Sequence, residues 1–301
     1  MRFVAPARRE VDPVVFERPP LSLWREFAEL LHRSDWPTIA ALDEFAGAHP
    51  EGALNRSTAP RFVEQTRELL GDGLHYEQRI AERGQIATRV HNWHDLFNAL
   101  VWLRFPEVKS ALNARQFAEI AVAGAKARTR AQCALTHFDE AGVIVVLRDR
   151  SLLPLWDAHD WHGLFWRERA AWRDRRIEAI VFGHALLEHA LQPAQLLVGK
   201  ALVVLRPDTA DANADESSVM ADAFATCTDA IGRSELLNDP QELRPLPLSG
   251  IPGWHVDNGG ERFYRETPCF CPLRAGRRYP APLHGPGAGV QDQNGFPLSR
   301  E

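Results

Sequence analysis

ALTHFDEAGVIVVLRD, residues 134–149, is the stretch on which the fold assignment turns. Two segments rich in strand-forming residues flank Asp139-Glu140-Ala141-Gly142, and a glycine at the end of such a turn supplies backbone angles that other residues avoid. The pattern predicts an antiparallel hairpin, with 135–138 pairing against 143–147. A second hairpin is predicted over 74–89, where LHYEQRIA and QIATR flank the turn Glu82-Arg83-Gly84.

Outward from these hairpins the periodicity becomes helical. Helices are expected over 21–33, over 34–49 with Ser34 as N-cap, over 93–104 ending before Pro106, over 112–127 and over 217–232. The aromatic run at 151–174 also reads as helical. IEAIVFG (177–183) reads as a strand or a buried helical turn leading into HALLEHAL (184–191), and LVGKALVVLR (197–206) as part strand. Strands and helices do not alternate as βαβ units, so the class is α+β. The expectation is one helix-rich domain over 21–272 with two β-hairpins, preceded by an extended, proline-rich segment at 1–20. The Pro- and Gly-rich chain from 238 onward is expected to wrap the domain as a C-terminal tail, loose over 273–301. DTADANADESS (208–218) reads as an acidic surface loop.

The chain has 301 residues, 45% hydrophobic and 25% charged, which is the composition of a globular protein with a sizeable core. A net charge of −5 argues against nucleic acid as a partner. No run reaches the ~18 apolar residues of a membrane helix, and the charged start MRFVAPARREVDPVV does not read as a signal peptide. Four cysteines do not make a disulfide scaffold in a chain of this size. Cys269 and Cys271 stand one residue too close for the C-x-x-C spacing of zinc and redox sites. A cytoplasmic protein with four reduced thiols is expected.

The chemistry concentrates in three blocks. In VHNWHDLFNALVWLRFP (90–106), His91, His94, Asp95 and Asn98 share a stripe about 100° wide on a helix that is otherwise apolar all round. Asn92 as N-cap with Asp95 three residues on is a capping arrangement; it leaves His91, His94 and Asn98 unexplained, and each needs a partner if buried. In FGHALLEHAL (182–191), His184 and Glu188 are i,i+4 neighbours. His184 and His189 are five apart, about 140° around a helix, so they cannot clasp one metal and the inverted-zincin pattern fails. The third block is Asp139 and Glu140, acids common in turns for conformational reasons alone. His159 and His162, in WDAHDWHGLFW (156–166), sit in aromatic surroundings that read as packing. G-x-S-x-G, Walker A and G-x-G-x-x-G motifs are absent from the sequence. His94-Asp95 is similar to the dipeptide of HD-type phosphohydrolases, which are all-helical, against the hairpins expected here. The order at 74–104 resembles the ββα-metal nuclease module, without its basic surround.

Together TRVHNWHDLFNALVWLRFPEVKSALN (88–113), LTHFDEAGVIVV (135–146), FGHALLEHAL (182–191) and LPLSGIPGWHVDNGGERFY (246–264) resemble a bacterial family known as domain of unknown function 3025. The resemblance spans about residue 60 to residue 272. It implies a single soluble bacterial domain and transfers no catalytic residue. CFCP at 269–272 departs from it, since an arginine is expected before that proline.

Two functional readings follow. In the first, the protein is a hydrolase using a divalent metal, with His94, Asp95, His184 and Glu188 as ligands and Asp139 and Asn98 as catalytic groups, Asp139 being general base on a bound water. In the second, a non-catalytic binding or scaffold protein uses the buried His/Asp/Asn network only to specify its fold. The sequence names no partner. Both readings require the starts of the 93–104 and 184–191 helices to meet, with 139–142 at the rim.

Overall fold

The computed structural model describes residues 3–48, 60–124, 128–206 and 216–285. The N-terminal segment is not extended throughout: Arg8–Glu10 and Pro13–Glu17 form 3-10 turns, and the second buries Val15 and Phe16. Leu21–Phe27 is a further 3-10 stretch that continues as α1 (Ala28–Leu31). α2 (Ile39–Ala48) starts later than Ser34 would place it, and Thr38 Oγ1 accepts from Ala41 N at 3.1 Å.

Neither predicted hairpin forms. The strand β1 (Arg61–Glu64) precedes α3 (Tyr76–Arg83), which occupies the first arm of the expected 74–89 hairpin. Gly84, at φ 60°, ends α3 as a left-handed C-cap. Only the return arm, β2 (Gln85–Thr88), is a strand, and it pairs in parallel with β1. After α4 (Trp93–Arg104) and α5 (Pro106–Ala123), the first arm of the 134–149 hairpin lies in α6 (Arg130–Ala141). Ala131, Ala134, Leu135 and Phe138 are buried at helical spacing, and Thr129 with Gln132 forms a capping box at the start. The second arm is β3 (Gly142–Leu147), buried at every position. Gly142 has φ −67°, so it makes no left-handed turn; a Cβ there would meet Phe138 O at 2.2 Å. This glycine lets a helix run directly into a strand.

The run at 151–174 breaks into α7 (Leu153–Asp157), a π-helical turn at His162–Arg167 and α8 (Arg169–Arg173). Then come β4 (Ile177–Val181), α9 (His184–His189), β5 (Val198–Leu205) and α10 (Glu216–Gly232). The described chain ends with β6 (Arg244–Pro247), α11 (Glu261–Glu266) and β7 (Leu283–His284).

The main sheet has the order β4-β3-β5-β6, with β7 also against β5. β3 is antiparallel to β4 and parallel to β5, β6 is antiparallel to β5, and β7 is parallel to it. This is a helix-rich α+β fold with a mixed sheet in place of hairpins. Residues 273–285 are not loose: Arg244 Nη2 donates to Pro280 O at 2.6 Å, and β7 joins the sheet. Residues 286–301, and all but residues 216–218 of the acidic 208–218 loop, lie outside the described residues. All four cysteines are free thiols.

Candidate metal centre

Three helices bring the marked residues together. Asp139 and Glu140 occupy the last turn of α6, immediately before β3. α9 starts immediately after β4 and Phe182, at Gly183, whose N donates to Gly142 O at 2.8 Å. A Cβ on Gly183 would lie 2.5 Å from Ala141 Cα and Gly142 N, so only glycine lets the start of α9 sit on the end of α6. His184 is thereby placed beside the two acids. α4 packs on α9, and Asn92 caps it as expected, its Oδ1 accepting from Asp95 N at 3.0 Å.

The rings of His94 and His184 meet edge to face, with their Nε2 atoms 3.1 Å apart. Glu140 Oε2 lies 3.7 Å from His184 Nε2 and 4.0 Å from His94 Nε2. Ligand atoms of His94, Glu140 and His184 all lie within 4.8 Å of one another, a grouping that can hold a metal ion. Behind each imidazole stands a carboxylate: Glu188 Oε2 is 3.2 Å from His94 Nδ1, and Asp139 Oδ2 is 4.0 Å from His184 Nδ1. The buried Nδ1 of His184 has no hydrogen-bond partner. The cluster lines a cavity of about 390 Å³ that also touches Tyr76, Glu77, Arg89 and Asn98.

The two histidines are electrostatically unequal. The hydrogen bond to Glu188 raises the His94 pKa against the opposing effect of burial, with Glu140 adding to the rise. Burial pushes His184 down to about 3, more than the neighbouring Asp139 charge restores. His184 is therefore neutral, with the lone pair that a metal requires. Burial raises the Glu140 pKa. Burial also opposes the Asp139 carboxylate, but the charge and hydrogen bond of Lys109 act against it, and Asp139 lies below its ordinary value.

The other expected site residues are placed differently. Asp95 stands outside the cluster: Arg89 N donates to its Oδ2 at 2.6 Å and Arg89 Nη2 to its Oδ1 at 2.7 Å. Asn98 donates to Tyr76 Oη at 2.8 Å and accepts from Lys109 Nζ at 2.9 Å. Lys109 Nζ also donates to Asp139 Oδ1 at 2.6 Å. His91, at φ 57°, lies just before α4 and outside the cluster. His159 bonds Tyr279 Oη at 2.9 Å, and His162 bonds Glu261 at 2.8 Å, both away from the cavity. Lys109, Tyr76 and Glu77, which no motif marks in the sequence, also belong to this polar network or line its cavity. The signal available for Lys109 was its i,i+4 spacing to Asn113 on the α5 face that carries Val108 and Leu112.

Among curated proteins and among solved structures nothing matches this chain. The description "Protein of unknown function (DUF3025)" matches residues 60–274, a span that holds the histidine pair, both acids of α6, Glu188 and the whole cavity wall. The chain belongs to the DUF3025 family.

Proposed function

We propose that this protein is a divalent-metal-dependent hydrolase whose metal is held by His94 Nε2, His184 Nε2 and Glu140. The observation that carries the reading is the 3.1 Å approach of two imidazole Nε2 atoms that face each other beside a carboxylate. Tetrahedral Zn–N bonds of about 2.0–2.1 Å put two donors roughly 3.3 Å apart, close to what is seen. Glu140, a few tenths of an ångström further out, closes the set by a small side-chain movement. Three protein ligands leave one position for water, the pattern of catalytic rather than structural zinc, and a bound metal lowers that water's pKa toward ~7.

Glu188 and Asp139 stand where outer carboxylates orient metal-bound histidines. Asp139, pinned by Lys109, serves His184 in this reading instead of acting as general base. Asp95 holds Arg89 and the start of α4 in place, and Asn98 holds Lys109. Among the described residues no helix is long and apolar enough to cross a membrane. The unpaired thiols support a reducing, cytoplasmic setting.

A second reading is favoured by one observation: Lys109, Asn98, Tyr76 and Asp139 satisfy one another without a ligand. Here the network only specifies the fold. Elemental analysis of the purified chain, followed by zinc titration of the stripped protein, separates the two. The hydrolase reading expects one equivalent of metal, lost in both His94→Ala and His184→Ala while the fold is retained. A wild-type chain that binds no zinc, with either variant grossly destabilised, supports the second reading.

A further inference from the structure

Both helices that carry the histidine pair are gripped by the N-terminal segment, residues 3–8. On α9, the Phe3 ring lies against the His189 ring, with centroids 4.0 Å apart. Just beyond that helix, Gln192 Nε2 donates to Val4 O at 3.1 Å. On α4, Trp93 Nε1 donates to Pro6 O at 3.1 Å, and the Arg8 guanidinium sits 4.8 Å from the centre of the Trp93 ring. Arg8 is itself anchored, donating to Leu30 O at 2.7 Å in α1 and to Arg33 O at 2.9 Å. One short stretch of chain thus bridges α9 and α4 and is tied down at its far end.

The grip falls beside the bond that joins the two helices. His189 follows Glu188 and Trp93 precedes His94, and Glu188 Oε2 lies 3.2 Å from His94 Nδ1. α9 has only six residues, too few to hold a helix by its own hydrogen bonds. Its start is fixed by the close fit of Gly183 on α6, and Leu186 and Leu187 bury one side of it. Its last turn, with Glu188 and His189 half-buried, has Phe3 packed against it. On α4, the Trp93 indole is buried and stacks on Phe97 at 5.7 Å, so holding that indole fixes the first turn.

We propose that residues 3–8 form a strap that sets the approach of α4 to α9, with Phe3 as a positioning residue for the histidine pair. The strap acts through Trp93 and His189 on the side chains next to them. Two Nε2 atoms 3.1 Å apart serve a metal only if they are held there, and a supporting shell that slips by about 1 Å is enough to spoil such a site. That the spacing serves a metal rests on the hydrolase reading above; that the strap sets the spacing does not. The strap precedes residue 60, so the span shared with the family holds every ligand but not this clamp.

The test compares the full chain with one lacking residues 2–7, in which Arg8 follows the initiating Met and keeps its bonds to α1. In the metal-free state, cross-relaxation between the carbon-bound ring protons of His94 and His184, whose centroids are 4.4 Å apart, reports the approach directly. The truncation should abolish that cross-peak and weaken zinc binding about tenfold, the lower end of what loss of outer support costs. Phe3→Ala should weaken both readouts, and Phe3→Tyr, which keeps the ring, should restore them. Asn258→Leu, in a loop remote from the strap, should leave both unchanged and so separates positioning from general loss of stability. The strap is overturned if the truncated chain keeps the ring contact, or if Asn258→Leu abolishes it equally. Should the truncated chain not fold, a ring contact untouched by Phe3→Ala overturns it instead. A wild-type chain that binds no zinc sinks the hydrolase reading, and the ring contact still decides the strap. A zinc-binding chain whose affinity and ring contact survive the truncation does the reverse.

Discussion

The loop before α11 and the cavity between α4, α6 and α9 are both buried polar regions, and they are built on opposite terms. Around Asn258, which is 3% exposed, nearly every polar atom is spent. Its Nδ2 donates to Ser249 O and Ile251 O, its Oδ1 accepts from Gly253 N, and its carbonyl accepts from Tyr264 Oη. Ser249 Oγ in turn accepts from Leu197 N at 2.8 Å, tying the loop to the start of β5. In the cavity, by contrast, two Nε2 atoms face each other, Glu140 makes only long approaches, and a buried Nδ1 has no partner. A saturated network leaves nothing over for a ligand and can only hold the chain. An unsaturated one beside open volume has donor atoms to spare.

Lys109→Met should give the largest effect, because it leaves Asp139 as an unpaired buried charge and strips Asn98 of a donor. A loss of about 3–5 kcal/mol is expected in denaturant unfolding. A loss under about 1 kcal/mol would mean that the cavity's satisfied half contributes no more than a surface ion pair.

Asn258→Leu comes next. It orphans Ser249 O, Ile251 O and Gly253 N, and should cost about 2–3 kcal/mol while leaving zinc affinity unchanged. A change in zinc affinity would erase the contrast between the two regions.

Glu188→Gln should act the other way round. Zinc affinity, followed by calorimetry, should fall about 10–100-fold with the loss of the carboxylate behind His94. The unfolding free energy should move by no more than about 1 kcal/mol. An unaltered affinity would remove Glu188 from the centre.

The smallest effect is a pH dependence of the metal-free chain. The His94 pKa is raised in the folded state, so its pairing with Glu188 contributes fully below about 6.5 and is lost as pH rises through the raised value. The stability gap between wild type and His94→Gln should therefore shrink on going alkaline. His184 carries the opposite sign: lowered to about 3, it contributes above about 6.5, and that contribution is lost as pH falls. A gap that widens with pH would reverse the assignment of the two rings.

By itself the sequence determined where chemistry-bearing residues concentrate and which helix is buried all round. It carried α4 with its Asn92 cap, the strand segments of β2, β3 and β5, and the three blocks carrying His94, Asp139-Glu140 and His184. These are local properties: periodicity, capping chemistry and the distribution of apolar residues act over a few positions. It misjudged the glycines, because a glycine ending a helix, one allowing close approach and one in a hairpin turn look alike when the partner is unseen. Gly84 caps α3 and Gly142 clears Phe138, so helices stand where hairpins were expected. Ligand choice lay equally out of reach. Asp95 and Glu140 are both acids next to marked residues, but Arg89 engages one, while the close contact of Gly183 with the end of α6 places the other beside His184. The Arg89 contact spans only six residues, but the approach of Glu140 to His184 joins positions about 44 apart, and His94 meets His184 from 90 residues away. Only tertiary packing decides which carboxylates are spent on cations and which remain free to bind.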